Sequence, residues 1–151
     1  MHPYLLLRKR QMRAKQNLMP NNTERPFRVL LALDGSRMTL ETMDLAFERC
    51  QAMTRCIDIL VVKLSSEPAA LLRDFLNQLE QHDIEYRLTI TEDSLASQVA
   101  RHMKRFPGIK TVVTDSQINW PDGLGPVMER LLVDGYRFVF LSKSQNHVHY
   151  Y

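Results

Sequence analysis

Apolar residues run without a break from Val29 to Leu33, and Asp34, Gly35 and Ser36 follow at once. Such a run reads as a strand buried on both faces that ends in a turn and opens a helix. With Ser36 as N-cap, that helix extends to about Ala52, and Met43, Ala46, Phe47 and Cys50 share one face of it. A second buried strand follows from Ile57 to Leu64, with Asp58 near its start and Lys63 near its end. Ser66-Glu67-Pro68 suits the first turn of a second helix, whose apolar face is Leu72, Phe75, Leu76 and Leu79.

The third strand has a different pattern. Ile84, Tyr86, Leu88 and Ile90 alternate with Glu85, Arg87, Thr89 and Thr91. Strict alternation implies one wet face, as at the edge of a sheet. Glu92-Asp93-Ser94 caps a third helix lined by Leu95, Val99, His102, Met103 and Phe106, and Pro107-Gly108 stops it. A short fourth strand, Ile109 to Thr114, leads into an irregular loop from Asp115 to Leu124. Gly125-Pro126 then starts a fourth helix to about Val133, Asp134-Gly135 turns the chain, and Tyr136 to Leu141 is the fifth strand.

Five strands alternating with four helices predict a three-layer α/β/α fold with a five-stranded parallel sheet, because right-handed crossovers place helices on both faces. With the third predicted strand at an edge, the order is 3-2-1-4-5. The topological switch point then falls between the first and fourth strands, with Asp34, Gly35, Ser36 and the loop from Asp115 at its rim.

Length agrees with one domain: 151 residues can bury roughly 70% of the unfolded surface. The expected division is an extension over 1–25, a folded unit over 26–144 and a polar tail over 145–151. Cys50 and Cys56 do not form a Cys-x-x-Cys pair and read as buried, reduced thiols. No stretch approaches the ~20 apolar residues of a membrane span. Tyr4 to Leu7 precedes the basic run, the reverse of a signal peptide, so the expected location is the cytoplasm.

Charge changes the picture at one end. The net charge is +3, yet residues 1–23 hold five cations and no acid, while 24–151 hold 15 cations and 17 acids. Tyr4 to Leu18 has the makings of a short helix ended by Pro20. Three readings are open for this extension: a flexible arm, a basic arm that touches nucleic acid or anionic lipid, or a natural start further in, at Met12 or Met19.

The strand Val-Leu-Leu-Ala-Leu-Asp-Gly-Ser resembles the opening of universal stress protein domains. Gly125-Pro126-Val127-Met128-Glu129-Arg130-Leu131-Leu132 resembles that family's Gly-Ser-Val-Ala-Glu-x-Val-Leu helix start. The similarity covers Phe27 to about Ser144. It implies the adenine nucleotide alpha hydrolase-like form of the fold and a cytoplasmic, non-catalytic stress or regulatory role. It also implies a homodimer paired through the last strand, Tyr136 to Leu141.

In the family's ATP-binding members the phosphates sit on a loop Gly-x2-Gly-x9-Gly-Ser or Thr. Here Asp115-Ser116-Gln117-Ile118 stands where the first two glycines would be, and the loop is about three residues shorter. Pro126, which lacks an N–H, replaces the hydroxyl residue after Gly125. The resemblance therefore implies a modified nucleotide pocket at Asp34, Ser36, Val62 (or Lys63), Asp115, Ser116 and Gly125. ATP binding is expected to be weak or lost, and no other cofactor is implied. The alternative is an adenine-nucleotide-binding switch that uses that pocket. Asp34 on its own reads as a turn acid or a helix-start charge.

Other residues offer less. His147-x-His149 lacks a third metal ligand. His102 reads as a hydrogen-bonded boundary residue, Lys63 as a solvated lysine and Trp120 as core cover. The Leu-Asp-Gly-Ser turn distantly resembles the loop of ATP pyrophosphatases but lacks its leading Ser-Gly-Gly. No nucleophile elbow, Walker loop, dinucleotide fingerprint or zinc-protease motif is present.

Overall fold

The apolar runs become the central strands in a computed structural model that describes residues 27–115 and 129–141 in full and the backbone of 5–8 and 124–128. In chain order the elements are β1 (Leu5–Arg8), β2 (Arg28–Asp34), a one-turn 3-10 helix (Gly35–Arg37), α1 (Leu40–Met53), β3 (Cys56–Val62), α2 (Ser66–Gln81) and β4 (Glu85–Thr91). They are followed by α3 (Leu95–Arg105), β5 (Thr111–Asp115), α4 (Leu124–Val133) and β6 (Arg137–Leu141).

The sheet order is β1-β4-β3-β2-β5-β6. From β4 to β6 every pairing is parallel, which is the 3-2-1-4-5 order expected for five strands. Strand β2 lies at the centre, and Val29 to Leu33 are at most 1% exposed. Val29, Leu31 and Leu33 face one layer with α1 and α2, joined by Phe47, Phe75 and Leu79. Leu30 and Ala32 face the other with α3 and α4, joined by Val99, Met103 and Leu131.

The structure corrects two expectations. Leu5–Arg8 is a strand, not part of a helix over Tyr4 to Leu18. It pairs antiparallel with β4, Leu5 opposite Ile90 and Arg8 opposite Arg87. The alternating strand is thus not the border of the sheet, because the extension covers it, an arrangement that protects an otherwise open edge. Second, the first long helix starts later. Thr39 is its N-cap, with Oγ1 accepting from Thr42 N at 3.1 Å, whereas Ser36 belongs to the 3-10 turn.

Helix ends follow local chemistry. Ser94 Oγ accepts from Ser97 N and caps α3 as expected. After α2, Asp83 takes the left-handed conformation (φ 57°) and Ile84 N returns to Leu79 O. After α4, Gly135 does the same (φ 93°), with Tyr136 N donating to Leu131 O. Both close their helices through a left-handed residue, a position that glycine fills without steric cost. Cys50 and Cys56 are buried free thiols, and burial pushes Cys50 up to about 12.

Candidate functional site

The carboxyl ends of β2 and β5 meet at the switch point. The two strands pair from Leu30–Val112 to Ala32–Thr114, and Thr114 Oγ1 adds a bond to Ala32 O at 2.8 Å. Asp34 ends β2 level with Val62 of β3, and Asp115 is the buried last residue of β5. The fold therefore brings Asp34, Ser36, Val62 and Asp115 to one rim. Gly125 lies in the first turn of α4. Ser116 and Trp120, in the loop from Asp115 to Leu124, lie outside the described residues, as do His147 and His149.

Asp34 turns back on its own chain. Its Oδ1 accepts from Ser36 N at 3.0 Å and from Ser36 Oγ at 2.7 Å, the local bonding of an aspartate turn. Gly35 is packed tightly enough that a Cβ there would stand 2.6 Å from Leu64 Cα and 2.9 Å from Val62 O. Beyond Val62, Lys63 is exposed and left-handed (φ 54°), and its N–H reaches Thr91 O at 2.9 Å, tying the ends of β3 and β4 together. Asp34, Gly35 and Ser36 thus form a turn closed through Asp34 Oδ1 and seated on the end of β3. Among the described residues no group of histidine, cysteine and acidic side chains has the arrangement of a metal site.

The opposite end of the sheet holds a cluster that the sequence reading did not assemble. Asp58, 1% exposed on β3, receives Arg28 Nη1 at 2.9 Å, Arg87 Nε and Nη2 at 2.8 Å each, and His102 Nε2 at 2.8 Å. Arg28 comes from β2, Arg87 from β4 and His102 from α3, so one carboxylate fastens three strands and a helix. Arg87 lies 4.4 Å from the Phe106 ring centre, and His102 packs on the same ring at 4.8 Å. Burial alone would raise the Asp58 pKa. The hydrogen bonds from His102 and Arg87, together with the Arg87 and Arg28 charges, outweigh that and hold it down at about 2.

The signal for this cluster was present in the sequence. An acid inside an unbroken buried strand must be paired, because an isolated buried carboxylate is too costly. Its partners lie 29 to 44 positions away, and only the register of the strands identifies them. His102 is the hydrogen-bonded boundary residue it was expected to be. A two-point guanidinium–carboxylate contact, with Arg28 and His102 on the same carboxyl, makes the cluster a fastening.

Compared with known proteins, the chain matches no protein-family model, no curated protein and no solved structure.

Proposed function

We propose that this chain is a non-catalytic regulatory protein of the universal stress type that acts through protein contacts as a homodimer and has weak or no affinity for ATP. The observation that carries the reading is the Asp34 turn. One oxygen of the carboxylate that would meet a nucleoside, Oδ1, is already bonded to Ser36, and Gly35 leaves no slack against Leu64. Asp115, at the neighbouring strand end, adds a negative charge where phosphates would approach. Dimerisation through Tyr136 to Leu141 draws support from the position of β6 as the last strand on its side of the described sheet. Phe138 and Val139 are buried against opposite faces there, and a second copy would extend the sheet.

Two measurements test the proposal. Light scattering on a sizing column at micromolar concentration should give twice the mass of the chain; a clean monomer refutes the dimer. Calorimetry with ATP, AMP and cyclic AMP should give no heat. Tight binding that Asp34→Ala abolishes would replace this reading with the adenine-nucleotide switch. In favour of that second reading is the pairing of β2 with β5, which sets Asp34 and Asp115 at the switch point.

A further inference from the structure

A groove of 590 Å³ runs between the C-terminal halves of α3 and α4, at the amino end of the sheet. Lys104 stands on one wall and Arg130 on the other, with Tyr136 and Asp134 also lining it. Lys104 and Arg130 are both exposed. Lys110 Nζ lies 4.3 Å from the centre of the Tyr136 ring, so a third cation sits against one of the lining residues. Arg105 follows Lys104 and lies 5.2 Å from the Phe106 ring.

This charge is concentrated rather than scattered. Residues 27–94 hold seven cations and twelve acids, whereas residues 95–111 hold four cations and no acid. Part of that charge complements the C-terminus of α3, but a helix end amounts to only about half a negative charge. Lys110 lies beyond the helix and does not answer that end, while Arg130 stands in the last turn of α4.

We infer that the groove between α3 and α4 binds the sugar–phosphate backbone of a single-stranded nucleic acid. Its concave form favours a strand over a membrane, which meets proteins through a convex or flat face with apolar residues to insert. At 590 Å³ the groove has the volume of a small-ligand pocket, enough for a short stretch of one strand and too small to seat a duplex. Cations on both walls can neutralise successive phosphates, the sequence-independent source of affinity for nucleic acids. Asp134 sets a limit on how close a phosphate comes at the α4 end. The inference shares Tyr136 with the proposed dimer strand but requires neither the dimer nor the Asp34 turn.

The experiment uses the full chain and fluorescence anisotropy with labelled 20-nucleotide oligouridylate and oligodeoxythymidylate over a salt series. A 20-base-pair duplex and phosphatidylserine-containing vesicles serve as comparisons. Both single strands should bind, more tightly than the duplex. In Lys104→Gln/Arg130→Gln, and more strongly in Lys104→Glu/Arg130→Glu, affinity should fall tenfold or more. The slope of log affinity against log salt should shrink by about 1.4, roughly 0.7 for each lost phosphate contact. Circular dichroism and thermal melts confirm that these exposed substitutions keep the fold. The inference is overturned if both variants bind as the parent does, or if vesicles or duplex are preferred to single strands. It is equally overturned if binding is lost only when Lys9, Arg10, Arg13 and Lys15 are replaced by Gln.

Discussion

His102 Nε2 lies 2.8 Å from Asp58 Oδ2 and joins the last turn of α3 to the start of β3. Through that bond the helix is held to the same carboxylate that already fixes Arg28 and Arg87. The amino end of the sheet therefore depends on one buried acid.

Asp58→Ala should be among the most damaging single substitutions. It leaves two guanidiniums and an imidazole partly buried around an empty position, a loss of about 3 kcal/mol. For a chain of this size that lowers the melting temperature by roughly 6–12 °C. Urea titration monitored by circular dichroism measures the loss, and a change within half a kilocalorie per mole would show that the cluster contributes nothing net.

The same acid sets a pH dependence. The Asp58 pKa falls from its ordinary 3.8 to about 2 on folding. A depressed carboxylate stabilises the fold fully above its unfolded value and loses that contribution as pH falls through the folded one. The window is therefore between about pH 4 and pH 2, with a loss of about 2 kcal/mol across it. Unfolding midpoints measured across that window should fall less steeply in Asp58→Asn than in the parent.

Gly35→Ala tests the seat of the Asp34 turn. The new methyl meets backbone atoms of Leu64 and Val62 at 2.6 to 2.9 Å, and backbone cannot rotate aside. A cost of about 1–3 kcal/mol is expected, read from thermal melts. An alanine that is tolerated without loss would mean that the turn has room to open.

The start of α1 can be located by two substitutions. Thr39→Ala removes the bond to Thr42 N and should cost about 1 kcal/mol. Ser36→Ala removes a hydroxyl that only bonds Asp34, and Ser36 N still holds that carboxylate, so it should cost well under that. The reverse ranking in chemical denaturation would return the cap to Ser36.

The strands and their order were legible because buried parallel strands write themselves as apolar runs, and the alternation of Ile84 to Thr91 marked the outermost parallel strand on its side, though not the border that β1 forms. Ser36 and Thr39 are both hydroxyl residues ahead of an apolar face. Pattern alone could not choose between them, since the choice depends on Ser36 being taken by Asp34. Arg87 lay on what read as a wet face. In the fold it is half-buried beneath Phe106, because α3 reaches over that face. Leu5–Arg8 has no period of its own, and its strand character comes wholly from a partner far along the chain.

That distance has a consequence for biosynthesis. Leu5 leaves the ribosome early, but its seat beside Ile90 does not exist until more than eighty further residues have been made, about 4–17 s at roughly 5–20 residues per second. β1 is thus made before β2, β3 and β4 and can pair only after β4 has been made. Its arrival reports that the strand it covers is already made.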